Sequence, residues 1–129
     1  MIIIPVKTKS KEEIIDITGE VRKAVSELGV DDGLCCIFTP HTTAAVTINE
    51  NADPDVKRDI LKGLKYLNFE KISFDHMEGN SPAHLKSSII GCSETVVIEN
   101  NRLCLGTWQG IYFCEFDGPR HREVYIKIL

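Results

Sequence analysis

The chain has 129 residues, 43% of them hydrophobic and 26% charged, with 19 acids against 15 bases for a formal charge of −4. That is enough for one folded domain with a real core, spanning residues 1–129, and no apolar run approaches membrane-spanning length. It carries no basic stripe of the kind nucleic acid needs, since the short Lys7–Lys11 stretch runs straight into Glu12 and Glu13.

In chain order, Ile2 to Thr8 and Ile14 to Ile17 read as strands, being rich in β-branched residues without helical period. Thr18 is the expected cap of a helix through Leu28, with Val21, Ala24, Val25 and Leu28 on one apolar stripe and Gly29 as the stop. Asp31-Asp32-Gly33 is a turn, and Leu34 to Phe38 and Ala44 to Ile48 are strand-like on either side of Thr39-Pro40-His41-Thr42. Asp53 as cap, Pro54 at the first helical position and Asp55 at the positive end of the dipole announce a second helix, whose expected buried face is Val56, Ile60, Leu64 and Leu67. After a loop from Asp75 to Asn80, Ser81 is the expected cap of a third helix, again with a proline in its first turn, ending near Ile90 before Gly91. The rest reads as β: Glu94 to Glu99, a turn at Asn100-Asn101, Arg102 to Gly106, Gln109 to Glu115, a turn at Asp117-Gly118-Pro119, and Glu123 to Ile128. Antiparallel strands with two or three helices on one side make an α+β domain.

Five cysteines, an odd number with no Cys-x2-Cys pair, read as reduced thiols, four of them within apolar stretches. With Met1–Pro5 too short for an apolar targeting segment, the expected location is cytoplasmic.

Three of the four histidines lie in polar turns and element ends: His41 in Phe38-Thr39-Pro40-His41-Thr42-Thr43, His76 in Phe74-Asp75-His76-Met77-Glu78-Gly79-Asn80, and His84 in Ser81-Pro82-Ala83-His84. His121 lacks such surroundings. Near a helix start His84 is expected to stay neutral. Two nearby ligands and one remote ligand with an open position is a layout used by catalytic zinc, although the spacing matches no short metal signature. The competing reading is of single histidines hydrogen-bonded in loops. The expected cofactor is thus a divalent ion on His41, His76 and His84, zinc first, with nickel, cobalt and iron also suited to imidazole. Glu50, Asp53, Asp75 and Glu78 are candidates to orient the imidazoles, and Glu50 or Asp53 to act as base. Capping already accounts for Asp53.

A phosphorylated small molecule is a compatible ligand, because a pocket can be locally basic in an acidic chain. The third helix offers amides in its first turn, with Ser81, Lys86, Ser87 and Ser88 as nearby donors. No glycine-rich nucleotide loop is present. In Gly106-Thr107-Trp108-Gln109-Gly110 the glycines imply close backbone approach, and Trp108 is either a surface on which a flat heterocycle stacks or a core or subunit-contact residue.

With Thr39-Pro40-His41-Thr42-Thr43-Ala44, Asn49 to Val56, Pro82-Ala83-His84-Leu85-Lys86 and Leu105-Gly106-Thr107-Trp108-Gln109-Gly110 in this order, the chain resembles the YjbQ-like family (UPF0047) over nearly its whole length. The resemblance implies a compact α+β fold of mixed or antiparallel sheets with about three helices, and assembly as a homotrimer. For some members it implies secondary thiamine-phosphate synthase activity, joining hydroxymethylpyrimidine diphosphate to thiazole phosphate with loss of diphosphate. It supports His41, His76 and His84 as pocket histidines, Asn49, Glu50 and Asp53 beside the first, and Trp108 with Gln109 near the rim. The loop after His76 departs from the family's usual Asn-Asp-Glu-Gly: Glu78 and Gly79 remain, but it is shorter and lacks an acid. The alternatives are a metal-dependent hydrolase of a small phosphorylated substrate and a non-enzymatic trimeric protein that binds a metal or metabolite.

Overall fold

Alternating apolar and polar side chains build two antiparallel sheets that close on each other. The computed structural model describes residues 1–129, with strands β1 (Ile2–Lys7), β2 (Glu13–Asp16), β3 (Gly33–Phe38), β4 (Ala44–Glu50), β5 (Ser93–Glu99), β6 (Arg102–Leu103), β7 (Gln109–Glu115) and β8 (His121–Ile128). Helices are α1 (Thr18–Leu28), α2 (Pro54–Lys65) and α3 (Ser81–Ile90), with a 3-10 turn at Phe69–Lys71. The larger sheet has the order β1-β8-β3-β5-β6 and the smaller β2-β7-β4.

Side-chain period decides which residues meet. Ile4 and Val6, Cys35 and Ile37, Val96 and Ile98, and Val124 and Ile126 point inward from the larger sheet, against Ala44, Val46, Ile111 and Phe113 of the smaller one. Helix α1 adds Val21, Ala24 and Val25 to that core. The opposite face of the smaller sheet carries Ile14, Ala45, Tyr112 and Cys114, covered by Ala83 of α3 and by the half-buried Ile60, Leu61 and Leu64 of α2. The layers are therefore sheet, sheet and helices. No helix is long and apolar enough to cross a membrane.

Several expectations need correction. Thr18 is the first helical residue rather than the cap: Asp16 Oδ1 accepts from both its amide (2.9 Å) and its hydroxyl (2.6 Å), while Thr18 Oγ1 accepts from the Ile111 amide (2.8 Å). Its hydroxyl thus joins α1 to β7. Asn80, not Ser81, occupies the cap position of α3, and its side-chain amide instead donates to Glu78 and Asp117. Asp53 does cap α2, accepting from the Asp55 amide at 2.9 Å. Leu67 lies beyond α2 and is exposed, because the helix ends before the stripe reaches it. β6 stops at Leu103 as the chain turns away toward Gly106. Asn100 and Asn101 both take positive φ, the conformation of a tight two-residue hairpin. The cysteines are all free, yet only Cys35 and Cys114 are fully buried, while Cys92 and Cys104 are exposed.

Candidate functional site

Helix α3 is tied to the smaller sheet at one end of β4. The buried Ser87 hydroxyl donates to the Ala44 carbonyl at 2.6 Å, and the Val46 amide donates to the Gly91 carbonyl at 3.0 Å. Between this helix and the end of β3 runs an open groove of about 600 Å³ whose lining includes Phe38, Pro40, His41, His84, Ser88 and Cys92. It contains two imidazoles and no carboxylate. On the other side of α3 lies a cavity of about 390 Å³, whose lining includes His76, Glu78, Asn80, Lys86 and Asp117. His76 and His84 meet edge to face across the helix start, with ring centroids 5.4 Å apart.

His41 is fixed by a strand end. Its Nε2 accepts the backbone amide of Glu123 at 2.9 Å, which places the ring proton on Nδ1. Partial burial pushes its pKa below the usual histidine value, and the Arg122 guanidinium adds to the effect. Beneath this corner Glu115 is wholly buried and Arg122 only 5% exposed. Arg122 Nε donates to Glu115 Oε1 at 2.9 Å, its Nη2 donates to Glu115 Oε2, and the same Nη2 donates to Thr43 Oγ1 at 2.8 Å. Burial alone would raise the Glu115 pKa. Hydrogen bonds from Arg122, from the Thr8 hydroxyl and from the Asp117 amide outweigh it and hold the carboxyl below its ordinary value.

The residues expected to bind phosphate divide. Lys86, 1% exposed, points into the cavity and donates to Glu12 at 3.1 Å and Glu70 at 3.2 Å, so its charge is already paired. The Ser87 proton is committed to Ala44. Ser88 is left as the exposed hydroxyl on the groove.

The remaining expected residues lie elsewhere. β4 pairs with β7 from Ala44↔Glu115 to Glu50↔Gln109, and six residue steps of strand separate these ends by about 20 Å. Asn49, Glu50, Asp53, Trp108 and Gln109 gather at the far end, away from the histidines. There the Asn51 amide donates to the Trp108 carbonyl (2.9 Å), the Tyr112 hydroxyl to the Glu50 carbonyl (2.9 Å), and the Gly106 amide to Gln109 Oε1 (2.8 Å). Trp108 itself is 62% exposed, so it is not a core residue.

Whether a metal fits can be judged from the pair. Two imidazoles on one tetrahedral zinc ion, with Zn–N near 2.0–2.1 Å, have ring centroids roughly 5 Å apart. The His76–His84 separation is compatible with this, and ordinary edge-to-face packing gives the same spacing. No third His, Cys, Asp or Glu joins them in a group able to hold an ion. His41 would have to release the Glu123 amide before Nε2 could serve as a ligand. Asp75 and Glu78 are exposed in the loop beside His76.

Sequence reasoning missed Glu115, Arg122, Glu12 and Glu70. An acid ending the apolar run Ile111-Tyr112-Phe113-Cys114 was the available signal for Glu115. The partners of Lys86 are distant in sequence and gave no local sign.

The profile of a family described as UPF0047 protein YjbQ-like matches residues 3–129. A UPF0047 protein of Methanocaldococcus jannaschii is 55% identical over 124 residues, covering 96% of this chain and 90% of that one. The UPF0047 protein YugU of Bacillus subtilis is 54% identical, covering 98% and 96%. Among solved structures, an uncharacterised YjbQ/UPF0047-family protein from Clostridium acetobutylicum shares 55% identity, with full coverage of both chains and a TM-score of 0.96. A YjbQ-like protein of unknown function from Sulfolobus solfataricus, at 34% identity, covers 98% of this chain and 93% of its own with a TM-score of 0.93.

Proposed function

The chain belongs to the UPF0047, YjbQ-like family, and on that premise we propose that it is a small-molecule transferase of the secondary thiamine-phosphate synthase type, working as a homotrimer. The observation that carries the reading is the acid-free groove containing His41 and His84, with the His76 ring packed edge to face with that of His84. Such a groove suits a ligand rich in anionic oxygen, to which imidazole N–H and hydroxyl groups donate.

In the proposed reaction the thiazole nitrogen attacks the methylene carbon of hydroxymethylpyrimidine diphosphate. The new C–N bond forms as the C–O bond breaks, and the electron pair leaves on the diphosphate oxygen. The protein's task is to hold the two partners in line and stabilise the leaving charge. His84 and Ser88 are the proposed donors to that oxygen cluster. His41, as the Nδ1–H tautomer, is a further donor whose ring is held by the Glu123 amide. A divalent ion, where bound, would be held by His76 and His84 and would supply additional charge neutralisation to the diphosphate. Glu50 at the far end of β4, and Asp53 beyond it at the cap of α2, lie too far away to act as base in the groove of the same chain.

The test is to incubate purified protein with both phosphorylated substrates, with and without chelator, and to measure thiamine phosphate. Product well above that made by His41→Ala and His84→Ala proteins is expected. Product no greater than theirs refutes the synthase reading. Turnover confined to a panel of phosphoesters would favour a hydrolase instead.

A further inference from the structure

The split of polar groups along β4 has a consequence for where the complete site lies. At the Ala44 end, Ser87 binds α3 to the strand and the groove opens. At the Glu50 end, about 20 Å away along the strand, Trp108 stands 62% exposed on a turn that is not free to swing. The Gly106 amide donates to Gln109 Oε1 at 2.8 Å, the Gln109 amide to the Gly106 carbonyl at 3.1 Å, and the Asn51 amide to the Trp108 carbonyl at 2.9 Å. Gly110 leaves no slack beside it, because a Cβ there would lie 2.3 Å from Asn51 Nδ2. A large aromatic side chain presented to solvent on an immobilised turn is the usual form of a contact anchor.

The two patches are also complementary as hydrogen-bond partners, acceptors on the turn and donors in the groove. The Trp108 turn is fringed by carboxylates: Glu50 opposite Gln109 in the ladder, Asp16 accepting from Asn51, and Asp53 two residues further on. The groove has no carboxylate and offers two imidazoles beside Phe38 and Pro40, one aromatic and one flat apolar ring. Within one chain they cannot meet, since the β4–β7 ladder holds them at opposite ends. Between copies they can, and a head-to-tail contact repeated around a closed ring gives every subunit one turn and one groove.

We propose that the site is composite: the Trp108 turn of one copy of this chain seats over the His41–His84 groove of a neighbouring copy and forms the wall on which a flat ring stacks. The inference deepens the synthase reading and rests on it for the identity of the ligand. It does not rest on it for the arrangement of subunits. It also gives Glu50 and Gln109 a route to a site they cannot reach in their own chain.

Two experiments decide it. In a Cys104→Ser background, Thr107→Cys and, separately, Trp108→Cys are oxidised with diamide, and the products are resolved without reductant. Native Cys92 lines the groove and is too far from residue 107 or 108 of its own chain for a disulfide, which needs Cα atoms within about 7 Å. A covalent ladder of subunits that disappears on adding Cys92→Ser is expected. Absence of any Cys92-dependent ladder from both variants overturns the proposal.

The second experiment mixes His84→Ala and Trp108→Ala subunits by co-expression. Each protein alone has no intact site. In random rings about one quarter of the composite sites regain both residues, so thiamine-phosphate formation should return to about that fraction of the wild-type rate. No recovery, with both parents folded and assembled, overturns the proposal. A wild-type protein that makes no thiamine phosphate defeats the synthase reading instead, and the cross-link then decides the composite arrangement alone.

Discussion

Replacing Arg122 by methionine tests the energetics of the groove's foundation. The substitution keeps much of the apolar stem but removes the Nε and Nη2 donors to a carboxylate that is wholly buried. Glu115 would retain the Thr8 hydroxyl at 2.7 Å and the Asp117 amide at 3.1 Å, too little to compensate a full charge. Breaking one side of a buried pair costs about 3–5 kcal/mol, and losing two charge-assisted bonds at about 1.5–3 kcal/mol each gives the same range. Against a domain stability of about 5–15 kcal/mol, the single variant should be severely weakened. Adding Glu115→Gln removes the orphaned charge and should recover most of the loss. Urea unfolding at neutral pH and fixed protein concentration measures both. The pH dependence supplies an independent sign. In the wild type the Glu115 pKa is lowered, so its contribution is complete above the ordinary carboxyl value and is lost as pH falls through the folded value. In the single variant only the Thr8 and Asp117 hydrogen bonds still oppose burial, so the pKa should rise and acidification from neutrality should relieve part of the defect. A single variant costing less than about 1 kcal/mol, far below the buried-pair range, or one no worse than the double, would refute the reasoning.

Other consequences follow from named atoms. Gly110→Ala places a methyl group against the Asn51 side chain, so overpacking should cost about 1–3 kcal/mol and shift the Trp108 fluorescence; an unchanged melting curve would contradict the close approach. His41 accepts from the Glu123 amide only while neutral, and its pKa is lowered. The stability it contributes is therefore complete above the ordinary histidine value and declines as pH falls toward the folded one; a ring titration by NMR with a midpoint at or above the ordinary value would oppose this. Burial, aided by Cys36, pushes the Cys35 thiol up to about 11, and burial pushes Cys114 up to about 12. Iodoacetamide should label the exposed Cys92 and Cys104 in the native protein and spare Cys35 and Cys114 until denaturant is added, as read by peptide mass spectrometry.

Local chemistry made most of the elements legible. Asp53-Pro54, Gly29, Gly91 and Asn100-Asn101 act through their own backbone and its immediate neighbours, so the helix ends and the hairpin they specify could be read directly. The strand pattern marked a β-rich α+β domain for the same reason. Thr18 and Ser81 looked like caps because their type permits it. The available hydroxyl of Thr18 was instead taken by Ile111, 93 residues away, and the cap position of α3 fell to Asn80, one residue earlier.

The amino-acid sequence determined the residue types at the site: imidazoles in polar turns, hydroxyls at the start of α3, and a tryptophan between glycines. Only tertiary structure decided which of them share a surface. A strand carries its two ends apart at a constant rise per residue, so β4 separated Glu50 and Trp108 from His84. Helix periodicity sent Lys86 and Ser88 to opposite sides of α3, Lys86 was buried against Glu12 from 74 residues away, and Glu115 and Arg122 paired across the turn between β7 and β8. Those outcomes depend on how strands and helices pack against one another in space, which no local pattern of residues encodes.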